Sequence, residues 1–213
     1  MTPRRLFIAG ATGAVGQTLI PLAVRQQVDF LAHARPQSAA RLGERATVVD
    51  LADAERLTAA LTGRSTVVQL IGTMRKRFSS GDTYETSDIG TTRQLVTAAK
   101  AAGTVDHVVL LSSVGAGNPR GAYLKAKAEA ERLVRESGLP YTIFRPSAFQ
   151  DREGVYVPGM RALTSALGLK KYQPITLHEL ASAILHVAVQ GAPLGEVLEG
   201  DALWEVVARA PRD

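Results

Sequence analysis

GATGAVG, residues 10–16, lies between the continuous apolar run RLFIA and an amphipathic stretch. Its glycines, Gly10, Gly13 and Gly16, have two residues between each pair. Three glycines at such spacings often occur by chance, so the pattern alone is weak evidence. Between a strand and a helix, however, glycines let the backbone approach a pyrophosphate, which the N–H groups and positive dipole of the helix N-terminus attract. The segment therefore predicts a dinucleotide-binding turn, and a tight strand-to-helix turn without a ligand is the alternative.

Apolar runs alternate with amphipathic ones along most of the chain, which is typical of βαβ units around a parallel sheet. The helices have recognisable ends: Asp53 and Asp88 are candidate N-caps, Gly103 is a stop, and Thr176 and Glu179 form a T-x-x-E capping box. We therefore predict an α/β fold with a doubly wound parallel sheet (Rossmann fold) in three α/β/α layers. The predicted strands are residues 4–9, 29–34, 46–50, 65–72, 107–113 and 141–146, with a last one within 195–207, and the predicted helices are 15–26, 53–61, 88–103, 123–137, 160–167 and 175–191.

The length of the chain bounds its domain count. Its 213 residues are enough for one sizeable core and short for two full domains. No linker or internal repeat divides the chain. We therefore predict a single domain over residues 1–213.

Composition excludes several classes of function. The absence of cysteine removes disulfides, thiolate catalysis and cysteine-based metal sites, and the four histidines are scattered over different elements, so no metal site is predicted. The net charge of +5 is dispersed, and its one dense run, residues 75–77, is too short to indicate nucleic-acid binding. No apolar run approaches the ~20 residues of a membrane span. We expect a cytoplasmic protein that binds a small-molecule substrate, without nucleic-acid or membrane partners, and compatible with a homo-oligomer.

Arg35 indicates which dinucleotide would bind. It stands at the carboxyl tip of the second predicted strand, where NAD-preferring sites place an acid for the ribose 2′-hydroxyl. Asp29 lies at the other end of that strand. A guanidinium suits the 2′-phosphate of NADP instead, although an arginine merely exposed before Pro36 is the alternative. Asp50, after the third strand, is predicted either to meet the adenine or to cap the next helix.

Tyr123 and Lys127 lie four residues apart, so they share one face of a predicted helix. An ammonium close to a tyrosine stabilises its phenolate, which lets the phenol exchange a proton with a carbonyl or alcohol oxygen. Such pairs are common on solvated helices, so the position of this pair in the fold must decide between a catalytic pair and an ordinary surface pair. The helix follows the fifth strand, which ends in Ser112 and Ser113, and the carboxyl ends of parallel strands share one edge with the glycine turn. We therefore expect these side chains to converge.

Five segments together resemble the short-chain dehydrogenase/reductase superfamily, and most closely its atypical or extended-type, NAD(P)H-binding, NmrA-like group. The segments are GATGAVG, DIGTTRQLVTAAKAAG, HVVLLSSVGAG, Tyr123-x-x-x-Lys127 and FRPSAF. The likeness covers residues 4–149 well and the remaining third only in outline. The resemblance implies a single NAD(P)-binding domain over residues 1–213, in which roughly residues 146–175 form a small C-terminal substrate-side extension. Two features depart from the group: few residues remain for a substrate cap, and the group's helical asparagine has no clear counterpart around Asp88.

The resemblance implies roles for individual residues. Tyr123 resembles the general acid/base, and Lys127 the residue that binds the nicotinamide ribose and stabilises the phenolate. Ser113 resembles the serine that polarises the substrate carbonyl, with Ser112 as the alternative. Arg145 is predicted either to reach the pocket or to form a salt bridge. The predicted cofactor-binding residues are Gly10, Thr12, Gly13, Ala14, Val15, Gly16, Arg35, Asp50, Leu51, Ile71, Gly72, Lys127 and Pro146.

The implied activity is that of an NADP-dependent oxidoreductase, with NADP preferred over NAD. Hydride would pass between the nicotinamide and a carbonyl or related small substrate while Tyr123 moves the proton. One alternative is a non-catalytic NADP(H)-binding redox sensor, although such proteins commonly lack the tyrosine–lysine pair. Another is a flavin or heme-breakdown-type reductase that works without a tyrosine acid.

Overall fold

Seven strands in the described part of the chain form one parallel sheet in the order β3-β2-β1-β4-β5-β6-β7. The computed structural model describes residues 3–72, 83–149 and 159–211. The chain reverses its direction of travel across the sheet between β1 and β4, and doubly wound sheets bind ligands at this point. The strands are β1 (Arg5–Ala9), β2 (Asp29–His33), β3 (Ala46–Thr47), β4 (Thr66–Gln69), β5 (His107–Leu111), β6 (Tyr141–Phe144) and β7 (Glu196–Leu198).

Helices cover both faces of the sheet. Successive strand residues point to opposite faces, so Leu6 and Ile8 join one buried core while Phe7 and Ala9 join the other. Apolar residues on both faces are what a parallel sheet covered on two sides requires. The predicted α/β/α architecture is confirmed. The first core is covered by α1 (Ala14–Arg25), α6 (Leu177–Gln190) and α7 (Asp201–Arg209), and the second by α2 (Ala54–Leu61), α3 (Thr91–Ala102) and α4 (Gly121–Glu136).

Several helix ends follow the local chemistry of the sequence. Asp53 caps α2 by accepting a hydrogen bond from the backbone N–H of Arg56 at 3.1 Å. Gly103 ends α3 in the left-handed region, at φ 67°. Thr176 and Glu179 form the predicted capping box at the start of α6. These three predictions are confirmed. Each feature depends on contacts within a few residues, which is why the sequence alone predicts it.

Several boundaries differ from prediction by a few residues, and two of these differences concern predicted site residues. Asp88 is not an N-cap; it lies inside a π-helical turn, Glu85–Gly90, that runs directly into α3. The turn begins earlier because the hydroxyl of Thr83 accepts a hydrogen bond from the backbone N–H of Thr86 at 3.1 Å. The third strand is shorter than predicted, since Asp50 closes a turn by accepting from the backbone N–H of Ala52 at 2.9 Å.

The segment between β6 and α6 contains little regular structure in its described residues. It holds a short helix, α5 (Met160–Ala166), and a 3-10 turn (Lys170–Tyr172), and a single bridge joins Phe149 to Ile175. That this segment is a substrate-side extension of one domain stays a prediction. None of the helices described has both the length and the apolarity needed to cross a bilayer.

Candidate active site at the carboxyl edge of the sheet

The glycine turn joins β1 to α1 in close contact with β4. Gly10 has φ 91°, and a Cβ there would lie 2.8 Å from the backbone nitrogen of Ile71. A Cβ at Gly16 would lie 2.3 Å from the carbonyl oxygen of Gly10, so the first turn of α1 needs a glycine to pack against the loop. Gly13 is the N-cap of α1 and provides no side-chain cap. Both the sharp turn and the uncapped helix end suit a close-lying pyrophosphate.

A cleft of about 250 Å³ opens beside this turn. Gly10, Thr12 and Gly13 line it together with Arg35 and Arg41. Arg35 is extended and exposed, and it precedes a 3-10 turn, Pro36–Arg41, whose last residue is the second arginine. Arg41 was not predicted from the sequence. Its signal was present in RPQSAAR, but only the path of the 3-10 turn brings it back to the cleft.

His33 also lines this cleft, at the carboxyl end of β2. Its Nε2 lies 2.9 Å from the carbonyl oxygen of Val49. Burial lowers the pKa of His33 below its ordinary value, and the charge of Arg35 lowers it further. The imidazole is therefore neutral at pH 7 and adds no charge beside the two arginines.

An adjoining cleft of about 510 Å³ lies between the end of β3 and the start of α3. Asp50, Leu51 and Ile71 line it together with Arg35. The helix-capping alternative for Asp50 is wrong, because Asp53 caps α2 and the carboxylate of Asp50 closes its own turn. Adenine contact through Asp50 or Leu51 stays a prediction.

Lys127 reaches the end of β4 from α4. Its side chain is only 9% exposed, and its Nζ lies 2.9 Å from Oδ1 of Asp88, whose side chain is fully buried. The same Nζ donates a hydrogen bond to the carbonyl oxygen of Leu111 at 3.3 Å. A Cβ at Gly72 would lie 2.8 Å from Nζ, so this glycine makes room for the ion pair. Asp88, where the sequence offered no counterpart to the family's asparagine, is thus the residue that contacts Lys127.

Tyr123 lies one turn before Lys127 on α4 and is half-buried. The Nζ of Lys127 lies 5.9 Å from the centroid of the Tyr123 ring. The ring of Tyr84, whose centroid is also 5.9 Å away, packs against Tyr123 at 57°. The structure therefore brings the tyrosine and the lysine to one face of α4, as the spacing predicted.

The two serines after β5 have different environments. The hydroxyl of Ser112 is buried and donates to Oε1 of Glu131 at 2.6 Å. Ser113 is half-buried, and its hydroxyl is 3.4 Å from the carbonyl oxygen of Val114, which is at the limit of a hydrogen bond. Ser112 is thus held by the protein interior, and Ser113 is the better placed of the two for a ligand.

Arg145 belongs to the same interior network. Its Nε and Nη2 donate to the two carboxylate oxygens of Glu131 at 2.8 and 2.6 Å. These hydrogen bonds raise the pKa of Arg145. Of the two roles predicted for Arg145, the structure shows the salt bridge, which Arg145 forms with Glu131. Pro146, the next residue, is buried, and its carbonyl oxygen accepts from the backbone N–H of Val114 at 2.9 Å.

The lining of this edge fits a nicotinamide dinucleotide. Gly10, Gly13 and Gly72 line the same cleft as Arg35 and Arg41, so the positive charge of the two arginines lies in the cleft that a ligand bound at the glycine turn would enter. The remaining predicted residues of the turn are Thr12, Ala14, Val15 and Gly16. The side chain of Val15 is buried in the core, so only the backbone of this residue can reach a ligand. The basic run at residues 75–77 lies outside the described residues. Within residues 3–72, 83–149 and 159–211, no cluster of acidic and histidine side chains could hold a metal ion.

Comparison with known proteins assigns the class. Residues 10–190 match a family described as NAD(P)H-binding, and the chain belongs to that family. The predicted nicotinamide dinucleotide cofactor is thereby confirmed, and an NAD(P)H-binding family fits the short-chain dehydrogenase/reductase group that the motifs resemble.

Two curated relatives are similar over most of this chain. The (4-alkanoyl-5-oxo-2,5-dihydrofuran-3-yl)methyl phosphate reductase of Streptomyces griseus is 32% identical over 162 residues, which are 74% of this chain and 52% of the relative. Protein TIC 62, chloroplastic, of Pisum sativum is 28% identical over 183 residues, which are 71% of this chain and 34% of the relative. The chain thus spans about half or less of the length of these relatives. Because one of them is chloroplastic, the cytoplasmic location stays a prediction.

Solved structures share the fold at low identity. An NADPH-dependent quinone oxidoreductase from Escherichia coli, complexed with NADPH, has a TM-score of 0.68 and 21% identity, with 91% of this chain and 68% of that chain covered. The triphenylmethane reductase of Citrobacter sp., complexed with NADP(H), has a TM-score of 0.68 and 20% identity, with 92% and 69% covered. These likenesses support the fold.

Proposed function

We propose that this protein is an NADP(H)-dependent oxidoreductase that reduces a small carbonyl compound or a related substrate, with Tyr123 as the proton donor. The observation that carries the proposal is the position of Tyr123 and Lys127. They share one face of α4, and the Nζ of Lys127 lies beside Gly72 at the edge of the sheet that also holds the glycine turn. A proton donor at this edge lies where the nicotinamide of a bound dinucleotide would end.

The residues that would hold the cofactor lie along this edge. The glycine turn and the N-terminus of α1 would bind the pyrophosphate, and Lys127 would bind the nicotinamide ribose. Ile71 and Gly72 would line the nicotinamide side, with Pro146 near it. The bound cofactor supplies the hydride. The protein residues then have to orient the substrate and deliver one proton.

Tyr123 would deliver the proton, and Ser113 would assist it with a hydrogen bond. As hydride reaches the carbonyl carbon, the oxygen gains negative charge and takes the phenolic proton, which yields an alcohol. The hydroxyl of Ser113 would donate to the same oxygen and stabilise the developing charge. The ammonium of Lys127 favours the phenolate that remains, although Asp88 offsets part of its charge.

The relatives suggest the range of substrates. One relative is a reductase of a furanone phosphate, and two proteins of the same fold are a quinone oxidoreductase and a triphenylmethane reductase. All are reductases of conjugated or carbonyl-bearing compounds. Purified protein should therefore be mixed with NADPH and a panel of quinones, aldehydes, ketones and conjugated lactones, while the nicotinamide absorbance is followed. Oxidation of NADPH that depends on one of these compounds is the expected result.

A redox sensor is the second candidate function. It is favoured by the ion pair of Asp88 with Lys127, since an ammonium compensated by a carboxylate assists a nearby phenol less than a free one. Tight NADPH binding without turnover of any compound in the panel would favour the sensor and contradict the enzyme. NADPH oxidation that appears only when flavin is added would favour the alternative of a flavin reductase.

Preference for NADPH over NADH is expected to depend on Arg35 and Arg41. Both line the cleft beside the glycine turn, where two guanidinium groups would bind the 2′-phosphate. Since a hydrogen bond to a charged group contributes about 1.5–3 kcal/mol, Arg35→Gln and Arg41→Gln should each weaken NADPH binding about 10- to 100-fold. Binding of NADH should change little. Both dissociation constants can be measured by titration of nicotinamide fluorescence.

A matched control for these variants is Arg45→Gln. Arg45 is exposed and ends the next 3-10 turn, Gly43–Arg45. It packs over the ring of Phe30 of β2, and it does not line the cleft. It should leave both affinities unchanged. Equal loss of NADPH and NADH binding in the Arg35 and Arg41 variants would contradict a 2′-phosphate role.

A further inference from the structure

The π-helical turn Glu85–Gly90 is fixed to the end of β4 by buried hydrogen bonds. Gln69, the last residue of β4, is buried, and its amide donates to the hydroxyls of Thr91 and Thr92 at 2.9 and 3.2 Å. The hydroxyl of Thr92 in turn donates to the carbonyl oxygen of Asp88 at 2.6 Å. A π-helical turn frees backbone carbonyls from the helical ladder and is common at functional sites. Here the threonine hydroxyls satisfy those carbonyls, so the position of Asp88 is set by a rigid array.

The carboxylate of Asp88 is directed at Lys127. Its side chain is fully buried and its Oδ1 lies 2.9 Å from Nζ. Burying an ion pair costs desolvation energy that often equals the attraction gained, so such a pair is a poor means of stabilising a fold. The glycine at position 72, where a Cβ would lie 2.8 Å from Nζ and 2.9 Å from Oδ1, keeps the pair against the end of β4. The ion pair therefore fixes the position of the Lys127 ammonium and adds little to the stability of the fold.

Two contacts hold the ammonium of Lys127. It donates a hydrogen bond to the carbonyl oxygen of Leu111 at 3.3 Å, and it forms an ion pair with the carboxylate of Asp88, whose Oδ1 lies 2.9 Å away. The side chain of Lys127 is only 9% exposed, and its Nζ lies beside Gly72, which lines the cleft next to the glycine turn.

We propose that Asp88 is the positioning residue of Lys127: by holding the ammonium against the end of β4, it determines how tightly the nicotinamide ribose of NADPH is bound. The proposal rests on the function proposed above. It assigns Asp88 no contact with the cofactor. Its effect passes through Lys127, so the two side chains must be coupled in cofactor affinity.

A double-mutant cycle tests the coupling. The variants are Asp88→Asn, Lys127→Met and the double variant, and the readouts are the NADPH dissociation constant and the urea-unfolding midpoint. Asp88→Asn should weaken NADPH binding about tenfold, which is about 1.4 kcal/mol. In the Lys127→Met background the same change should have less than about a twofold effect, because the ammonium that Asp88 positions is gone. Asp106→Asn, at the opposite edge of the sheet, is the matched control and should leave the affinity unchanged.

Each other outcome counts against the proposal. An unchanged NADPH affinity in Asp88→Asn, or an equal loss in both backgrounds, would overturn it while leaving the proposed function intact. Failure of the wild-type protein to bind NADPH would overturn both. If Asp88→Asn does not fold, Thr92→Val replaces it, since this variant loosens the turn and keeps both charges. A several-fold weaker NADPH affinity then supports the positioning role, and an unchanged affinity overturns it.

Discussion

Tyr123→Phe is expected to lower turnover about 10²- to 10⁴-fold, the usual contribution of a general acid, while NADPH affinity stays within a factor of about two. The substitution removes the phenolic oxygen and keeps the ring, which packs against Tyr84 and lies 5.9 Å from the Nζ of Lys127. The cofactor-binding surface is therefore preserved, and only the proton donor is lost. Steady-state kinetics with the best compound of the panel, together with an NADPH titration, would measure both quantities.

Tyr141→Phe is the control for this substitution. Tyr141 begins β6 at the amino edge of the sheet, away from the glycine turn, so loss of its hydroxyl should leave turnover unchanged. Full activity in Tyr123→Phe would contradict the proton-donor role. That outcome would favour a flavin or heme-breakdown-type reductase, in which the tyrosine is not the acid.

The features that were predictable from sequence are those that depend on local chemistry or on strand direction. The glycine turn and the cap at Asp53 need only residues close along the chain. The approach of Lys127 to Gly72, which lines the cleft beside the glycine turn, required one further fact, that the carboxyl ends of parallel strands share an edge. A single sequence holds all of this information.

The features that were missed depend on which distant side chains meet. Ser112 and Ser113 are adjacent, and only the contact with buried Glu131 distinguishes them. Asp88 was predicted to be a helix cap because it stands before a helical pattern. Its actual partner, Lys127, lies on another helix, and the sequence does not show that contact. Arg41 reaches the cleft only because the chain after β2 folds back as a 3-10 turn. No periodicity encodes such contacts, since they arise from packing between elements.

Glu131→Ala is expected to destabilise the protein by about 3–5 kcal/mol, the usual cost of removing one partner from a buried ion pair. The side chain of Glu131 is 2% exposed and accepts hydrogen bonds from Ser112, Arg135 and Arg145. Without it, the carboxylate partner left to Arg145 among the described residues is Glu199, whose carboxylate is 4.0 Å away. Both the guanidinium and the serine hydroxyl would then be buried and poorly satisfied. The free energy of unfolding in urea measures the loss.

Glu129→Ala on the same helix is the control, which separates the effect of losing a buried ion pair from the effect of removing a charged glutamate. Glu129 also pairs with an arginine, Arg132, but these two side chains are 31% and 50% exposed, and pairs in contact with solvent contribute about 0–1 kcal/mol. A small effect at Glu129 and a large one at Glu131 would show that the buried network joins α4 to the ends of β5 and β6. Equal effects would mean that the loss at position 131 reflects only the removal of a helical glutamate. If the network is the cause, Glu131→Leu combined with Arg145→Met should recover part of the stability, because the pair of charges is then replaced by apolar packing.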